Sequence, residues 1–437
     1  MSANPSPRRL LRLSLVISLP ILALAFLLLP PQIARAGGEV TDCSNDTDLH
    51  AKLAGGGLVT FNCGSAPVSI TLTSTDLPGS HISITQTTSI SGGGLVTLQG
   101  NGDARIFNVD GSSLSLEGLT ITGGRALQGS PNNNGGAIYI INGGVVSVTD
   151  SRIFDNRAQY GGAIRAAEGL LTVTNSSLFN NQAEYGGAIY VMDLSPESPP
   201  INTATIVNSA VTSNTATHGD GGAVRIWNSR LTLANSTLSN NRALEIAGSG
   251  IRGDGGGIAV GGSETVSYGL VVMTNTTIYS NSASINGGGV HIDDTNGSAR
   301  VKNSIIANNA ATDGANCSTI ILDSDGHNLA SDDTCDFDAS GDLTNTNPLL
   351  GPLAPNGGST LTHAPLPGSP AINAADNAAC AAPPVSSVDQ RGVARPQGVT
   401  CDIGAVEATI NLSLGKSSTS QGGDPVRPTE RITYTIV

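Results

Sequence analysis

Lysine occurs only three times in the 437 residues, at Lys52, Lys302 and Lys416. Twenty-one basic side chains face 34 acidic ones, a formal net charge of −13. Phosphate recognition needs clustered cations, so this balance excludes a nucleic-acid partner. It excludes a polybasic membrane-surface protein as well. Aromatic residues are 3% and charged residues 13% of the chain, less of both than a layered globular enzyme carries. Glycine, by contrast, reaches 55 residues, well above ordinary usage. Hydrophobic residues at 38% are too many for a disordered chain. Short strands, many turns and a core of small repeated residues fit this composition.

The chain opens with Arg8, Arg9 and Arg12, followed by an apolar run from Leu13 to Leu29. Ala34-Arg35-Ala36 then fits a small-x-small cleavage site, so residues 1–36 read as an export signal and Gly37 as the first mature residue. Pro20 interrupts the run and Pro30-Pro31 end it, which argues against a retained membrane anchor. No later stretch is long and apolar enough to span a bilayer as a helix. The mature chain would carry 17 basic against 34 acidic residues, a net charge of −17. Its expected location is extracellular or at the cell surface.

All six cysteines fall after this signal, and an even count in an exported chain favours disulfides. Three local couples stand out, and nearest-neighbour pairing is expected: Cys43–Cys63, Cys317–Cys335 and Cys380–Cys401. Metal binding is the alternative, but no CxxC or Cys/His cluster supports it.

The middle of the chain is a repeat. GGAIYI at Gly135 returns as GGAIRA at Gly161, GGAIYV at Gly186, GGAVRI at Gly221, GGGIAV at Gly255 and GGGVHI at Gly287. The offsets are 26, 25, 35, 34 and 32 residues. A second block keeps phase with it, from VTDSRIFDN ending at Asn156 to VKNSIIANN ending at Asn309. Periods of this size mean a solenoid or a propeller. Coils of about 25 residues with very short strands suit a parallel β-helix, whereas propeller blades need about 40–50 residues. The fold class is therefore all-β, a right-handed parallel β-helix over residues 37–346, with like residues stacked on like about 4.8 Å apart. Weaker strands from Leu58 to Thr122 are counted as further coils. Asp46 to Ala54 reads as a short amphipathic helix, N-capped by Asp46 or Thr47 and tied by Cys43–Cys63. It is the expected cover for the first open edge.

Asn156, Asn181, Asn214, Asn241, Asn281 and Asn309 close the second block. Asparagine tolerates the left-handed region, and its amide can both donate to and accept from the asparagine one coil away. A structural ladder is preferred here over ligand binding. Residues 193–201 and 242–254 lengthen the period and read as outside loops.

The GGAI blocks, each with an asparagine and a small residue upstream (Asn156-Arg157-Ala158, Asn181-Gln182-Ala183), resemble the repeats of chlamydial polymorphic outer membrane proteins. The resemblance covers about residues 134–309 and implies a surface-exposed β-helix with a role in adhesion. NPLLGPLAPNGGSTLTHAPLPGSPAIN from Asn347, DQRGVARP from Asp389 and CDIGAVE from Cys401 resemble the C-terminal module of choice-of-anchor bacterial surface proteins, over residues 347–407. It is Pro- and Gly-rich with few periodic strands, so an irregular cap over the last coil is expected. Residues 408–437 resemble the first strands of a bacterial immunoglobulin-like repeat and read as its truncated start, being too short for the whole.

Two sets of side chains are candidates for function. Pectate lyases and polygalacturonases share the β-helix fold, which is a fold-level analogy only, and they need clustered carboxylates near a cation. Asp220 and Asp254 precede the GG of successive blocks, His218 lies nearby, and Asp293 and Asp294 follow His291. Solvated turn residues are the plainer reading of these acids. The aspartates around Cys335 (Asp332, Asp333, Asp336, Asp338) lack ligand spacing for Ca²⁺. The second set follows from alternation. If the fourth and sixth residues of each GG block point inward, the fifth points outward. That column reads Tyr139, Arg165, Tyr190, Arg225, Ala259, His291, with Tyr160 and Tyr185 before the GG of neighbouring coils. Aromatic faces interleaved with guanidinium groups suit a sugar chain or a surface-protein partner. Plain Arg-over-Tyr stacking is the competing account. No nucleotide loop or Ser/His/Asp motif is present, and no cofactor and no metal are expected. The functional reading is an exported, non-catalytic surface β-helix with an adhesive or structural role, the alternative being a polysaccharide-active enzyme.

Overall fold

Strict alternation builds the walls of the molecule. Ile138 and Ile140 are fully buried while Tyr139 between them is only half-buried, and Val146 and Val148 repeat the pattern one wall further on. In the computed structural model the described residues are 37–77, 79–126, 133–193, 202–245, 248, 252–262, 269–293, 297–318 and 322–409. Residues 1–36, read above as an export signal, most of the tail after Glu407, the 194–201 insertion and Asp294 lie outside them.

One coil shows the plan. Ile164–Ala167 belongs to a nine-stranded sheet, Leu170–Thr174 and Ser177–Phe179 to a 19-stranded surface, and Gln182–Ala183 to a four-stranded sheet. Each strand pairs in parallel with its counterpart in the next coil: Ile164 with Ile189, Leu170 with Thr203, Ser177 with Ala210, Gln182 with Thr215. The chain is thus a parallel β-helix, filled by one continuous column of Ile, Val, Leu and Ala from Val40 to Phe337.

The corners explain the repeated residues. The first glycine of each GG block has a left-handed backbone, with φ between 57° and 75° from Gly135 to Gly287. That region costs an L-residue roughly 1–2 kcal/mol. The second glycine approaches the coil above so closely that a Cβ on Gly187 would strike the Gly222 carbonyl oxygen.

The block-closing asparagines form a buried ladder. The Asn156 amide donates to Asn181 Oδ1 at 3.1 Å, Asn181 to Asn214 at 3.0 Å, Asn214 to Asn241 at 3.0 Å, Asn241 to Asn281 at 2.8 Å and Asn281 to Asn309 at 3.0 Å. Asn316 extends it by a seventh member, accepting from Asn309 at 3.0 Å. These residues are not the left-handed ones, however. Positive φ falls one residue earlier, at Asp155, Asn180, Ser213, Asn240, Ser280 and Asn308. The ladder amides are turned inward for bonding, so the preceding residue makes the turn. A second buried ladder runs through Ser151, Ser176, Ser209 and Ser236, each hydroxyl accepting from the backbone N–H one coil below.

Both ends are closed. Helix α1 (Thr47–Leu53) buries Leu49 and Leu53 against the first coil. Asp46 is its N-cap residue, yet its carboxylate does not cap the helix and instead accepts from the Thr73 and Ser74 backbone at 2.6 and 2.8 Å. At the other end Cys335 and Phe337 enter the main core, with the Cys317–Cys335 disulfide beside them. Cys43–Cys63 and Cys380–Cys401 are also bonded.

The irregular C-terminal region does more than cover the last coil. It runs back along the flank of the stack. Asn235 donates to Val388 O at 2.8 Å, Thr237 to Gln390 at 2.6 Å and Asn303 to Asp376 O at 3.0 Å. Within it Asp389–Arg391 and Arg395–Glu407 are buried ion pairs of 2.6 and 3.1 Å. Burial pushes the neighbouring Asp402 carboxyl up to about 6, against the Asn373 and Ala408 N–H groups that favour its ionised form. A native value above the unfolded one means that folding takes up a proton. This contribution to stability is complete below about pH 4 and is lost as pH rises through about 6. We expect Asp402→Asn to flatten the dependence of melting temperature on pH between those limits; an unchanged slope would exclude Asp402 as its source.

Candidate functional site

The fifth-position residues do stack along the outer side of the nine-stranded sheet. Tyr139 pairs with Arg165, Arg165 with Tyr190, Tyr190 with Arg225, Arg225 with Ala259, and Ala259 with His291. Beside this column runs a second one. Asn134, Tyr160 and Tyr185 are bridged in parallel, and Asp220 and Asp254 continue the same position before each GG. The outward column is not solvated as alternation alone suggests. Arg165, Tyr190, Arg225 and His291 are 5–8% exposed, and Ala259 is fully buried. Neighbouring side chains of the two columns pack over one another.

The first half of this face is aromatic and cationic. The Arg165 guanidinium lies 4.1 Å from the Tyr190 ring centroid and 5.2 Å from that of Tyr160. Tyr160 and Tyr185 stack at 5.7 Å, and Arg105 sits 4.9 Å from the Tyr139 ring. Burial raises the pKa of Tyr139, Tyr160 and Tyr185, so these phenols remain neutral donors. Arg165 has an unusual deficit. Among the described residues its Nη2 meets only the Met192 sulfur, at 3.3 Å, while Nε and Nη1 are buried with no partner. Burying a cation without a counter-charge is costly.

The second half is acidic and closely knit. Arg225 Nη2 donates to Asp293 Oδ2 at 2.6 Å and lies 3.6 Å from Asp220 Oδ2. His291 Nε2 lies 2.8 Å from Asp293 Oδ1 and 3.7 Å from Asp254 Oδ2. The remaining oxygens hold backbone: Asp220 Oδ1 accepts from Asp254 N at 3.2 Å and Asp254 Oδ1 from Asn286 N at 2.9 Å. Solvated turn residues is therefore the wrong description, since Asp254 is 2% exposed. Burial raises the pKa of Asp220, and Arg225 only partly opposes it. Burial would raise Asp293 too, but the hydrogen bond with His291 and the charge of Arg225 hold it at about 2. His291 is raised by Asp293, Asp254 and Asp220 in spite of burial.

His218 stays apart from this group, 4.0 Å from Glu184. One member escaped the sequence reading, and another was read there only as an acid following His291. Trp227, its ring 5.1 Å from the Arg225 guanidinium, and Asp293 as the link between Arg225 and His291 sit two residues after the outward column. Extending the period-2 alternation by one more step marks that third column: Ile141, Ala167, Met192, Trp227, Gly261, Asp293.

Residues 78–267 match a family model described as a right handed beta helix region. The fold is a right-handed parallel β-helix. The matched stretch includes Arg165, Asp220, Arg225 and Asp254, and ends before His291. No curated protein and no solved structure matches the chain.

Proposed function

We propose that this chain is an exported β-helix, displayed at or shed from the cell surface, which binds an acidic polysaccharide along the outer side of the nine-stranded sheet without cleaving it. The observation that carries the reading is Arg165: a buried guanidinium against two tyrosine rings, with Nε and Nη1 facing no acceptor among the described residues. A uronate or sulfate supplies the missing counter-charge and acceptor together. Tyrosine faces suit the apolar side of a sugar ring, and a ladder along the stack suits an extended polymer. Export is supported by the leader-like first 36 residues and by three disulfides, which persist in oxidising compartments. Surface display rests on the choice-of-anchor resemblance of residues 347–407. The exported chain's net charge of −17 repels an acidic polymer at long range, but screening at physiological salt limits that to about 8 Å.

Affinity measurements with polygalacturonate, a sulfated glycan and neutral dextran test this. Wild type is expected to retain an acidic polymer and not dextran. Arg165→Gln should weaken binding about 10–100-fold, the loss of a charged hydrogen bond. Equal binding of dextran, or an Arg165→Gln variant that binds as well as wild type, would contradict the proposal.

Cleavage is the second reading, and one observation favours it. Asp220 and Asp293 share the same Arg225 nitrogen, and their carboxyls are pushed in opposite directions, one toward acid and one toward base. Shortening of polygalacturonate by wild type and not by Asp220→Asn would favour this reading over binding alone.

A further inference from the structure

We propose that Asp254, His291 and Asp293 form a binding site for one divalent cation of the Zn²⁺ or Mn²⁺ kind. The proposal is independent of the polysaccharide reading, because it concerns the metal alone.

The three residues come from two successive coils. Asp254 precedes one GG block, and His291 and Asp293 lie in and just after the next. One ligand atom from each, an imidazole nitrogen and two carboxylate oxygens, fall within 4.8 Å of one another. An ion holding such ligands at about 2.1 Å needs them roughly 3–3.5 Å apart. His291 Nε2 is already 2.8 Å from Asp293 Oδ1 and 3.7 Å from Asp254 Oδ2, close to that range, and the two carboxylate oxygens lie within 4.8 Å of each other.

Three further observations point to a ligand there. First, Asp254 Oδ2 has no hydrogen-bond donor among the described residues, although Asp254 is 2% exposed, and it faces His291. Second, the imidazole is 7% exposed, with its Nε2 directed at the two carboxylates and its Nδ1 left without a partner among the described residues. Third, the charges do not balance. Three carboxylates, Asp220, Asp254 and Asp293, face one guanidinium, Arg225, which engages the Oδ2 atoms of Asp220 and Asp293, and one imidazole, His291, whose proton a metal would displace. Asp293 Oδ1 and Asp254 Oδ2 face the His291 imidazole instead. A divalent cation there offsets the excess.

The surroundings hold the ligands in place. Asn286 N–H fixes Asp254 Oδ1 at 2.9 Å and leaves Oδ2 facing His291, and Arg225 fixes Asp293 Oδ2 so that Oδ1 meets His291 Nε2. Such outer contacts orient metal ligands. Gly261 keeps the space open, since a Cβ there would lie 2.6 Å from Asp293 Oδ2. Mixed carboxylate and imidazole donors suit Zn²⁺ and Mn²⁺ better than Ca²⁺, which prefers an all-oxygen shell.

The test uses the chain from Gly37 onward, stripped with chelator and titrated with ZnCl₂ and MnCl₂ by calorimetry. One site per chain is expected, with a rise in melting temperature on loading. His291→Gln and Asp254→Asn should each lower affinity at least about tenfold. Wild type alone gives a second readout that no folding defect affects: pulsed EPR of the Mn²⁺-loaded, ¹⁵N-histidine-labelled chain should show one coordinated imidazole nitrogen. Absence of binding, absence of the nitrogen coupling, or affinity unchanged in both folded variants would overturn the proposal.

Discussion

Gly187→Ala is expected to prevent the stack from forming through its middle coils. The added Cβ meets the carbonyl oxygen of Gly222, and the Thr215 backbone lies only 2.7 Å away. Both obstacles are backbone, and both coils are fixed by parallel hydrogen bonds, so neither can yield cheaply. We expect a loss above about 4 kcal/mol, which is exceptional for a single methyl group. Since each coil touches only its neighbours, the damage separates the stack into two parts. Gly143→Ala is the contrast: its φ is 78°, but a Cβ there meets nothing within 4 Å. It should cost only about 1–2 kcal/mol, the strain of a left-handed L-residue. Urea denaturation of the two variants separates the effects, and similar losses would mean that close approach is not the reason for the second glycine.

Asn181→Leu should be the next most damaging change. Leucine nearly conserves volume, so little cavity forms and the effect isolates the hydrogen bonds. Asn181 is 1% exposed, accepts from the Asn156 backbone and amide at 3.1 Å each, and donates to Ile153 O and Asn214 Oδ1 at 3.0 Å each. Leaving a buried donor or acceptor unmatched costs about 1–3 kcal/mol. With donors and acceptors stranded on both adjoining coils, a loss of about 3–5 kcal/mol is expected, read as a lower melting temperature. Variant that does fold should bind polysaccharide as wild type does, because the ladder lies inside the wall. An unchanged melting temperature would refute the ladder's role.

The fold was legible because its physics is local and repeated. The GG pairs, the closing asparagines and the outward column each recur at every coil, so stacking follows once the period is seen. The cysteine couples are neighbours in sequence and bond as neighbours. What escaped is what the repeat does not encode. The left-handed corner was assigned to Asn181, whereas Asn180 takes it, because both asparagines suit a turn and only the amide bonding distinguishes them. The serine ladder through Ser176 and Ser209 stands in five of the six second blocks, with Thr276 in the other, yet an alternation argument treats serine as filler. The return of the C-terminal region depends on contacts such as Asn235 with Val388, 153 residues apart and made once. In the candidate site, Asp220 and Asp254 were visible as stacked acids, but their burial was not. Burial goes with Arg225, His291 and Asp293 meeting across the two columns, and so depends on side-chain lengths more than on position.

A crystal structure of the chain with a short uronic acid oligosaccharide tests the central claim most directly. The account predicts a sugar carboxylate within hydrogen-bond distance of Arg165 Nε and Nη1, with a ring lying against Tyr160 or Tyr185. An oligosaccharide seated elsewhere, for instance in the groove between Phe179 and Leu361, with Arg165 still unpaired, would contradict it.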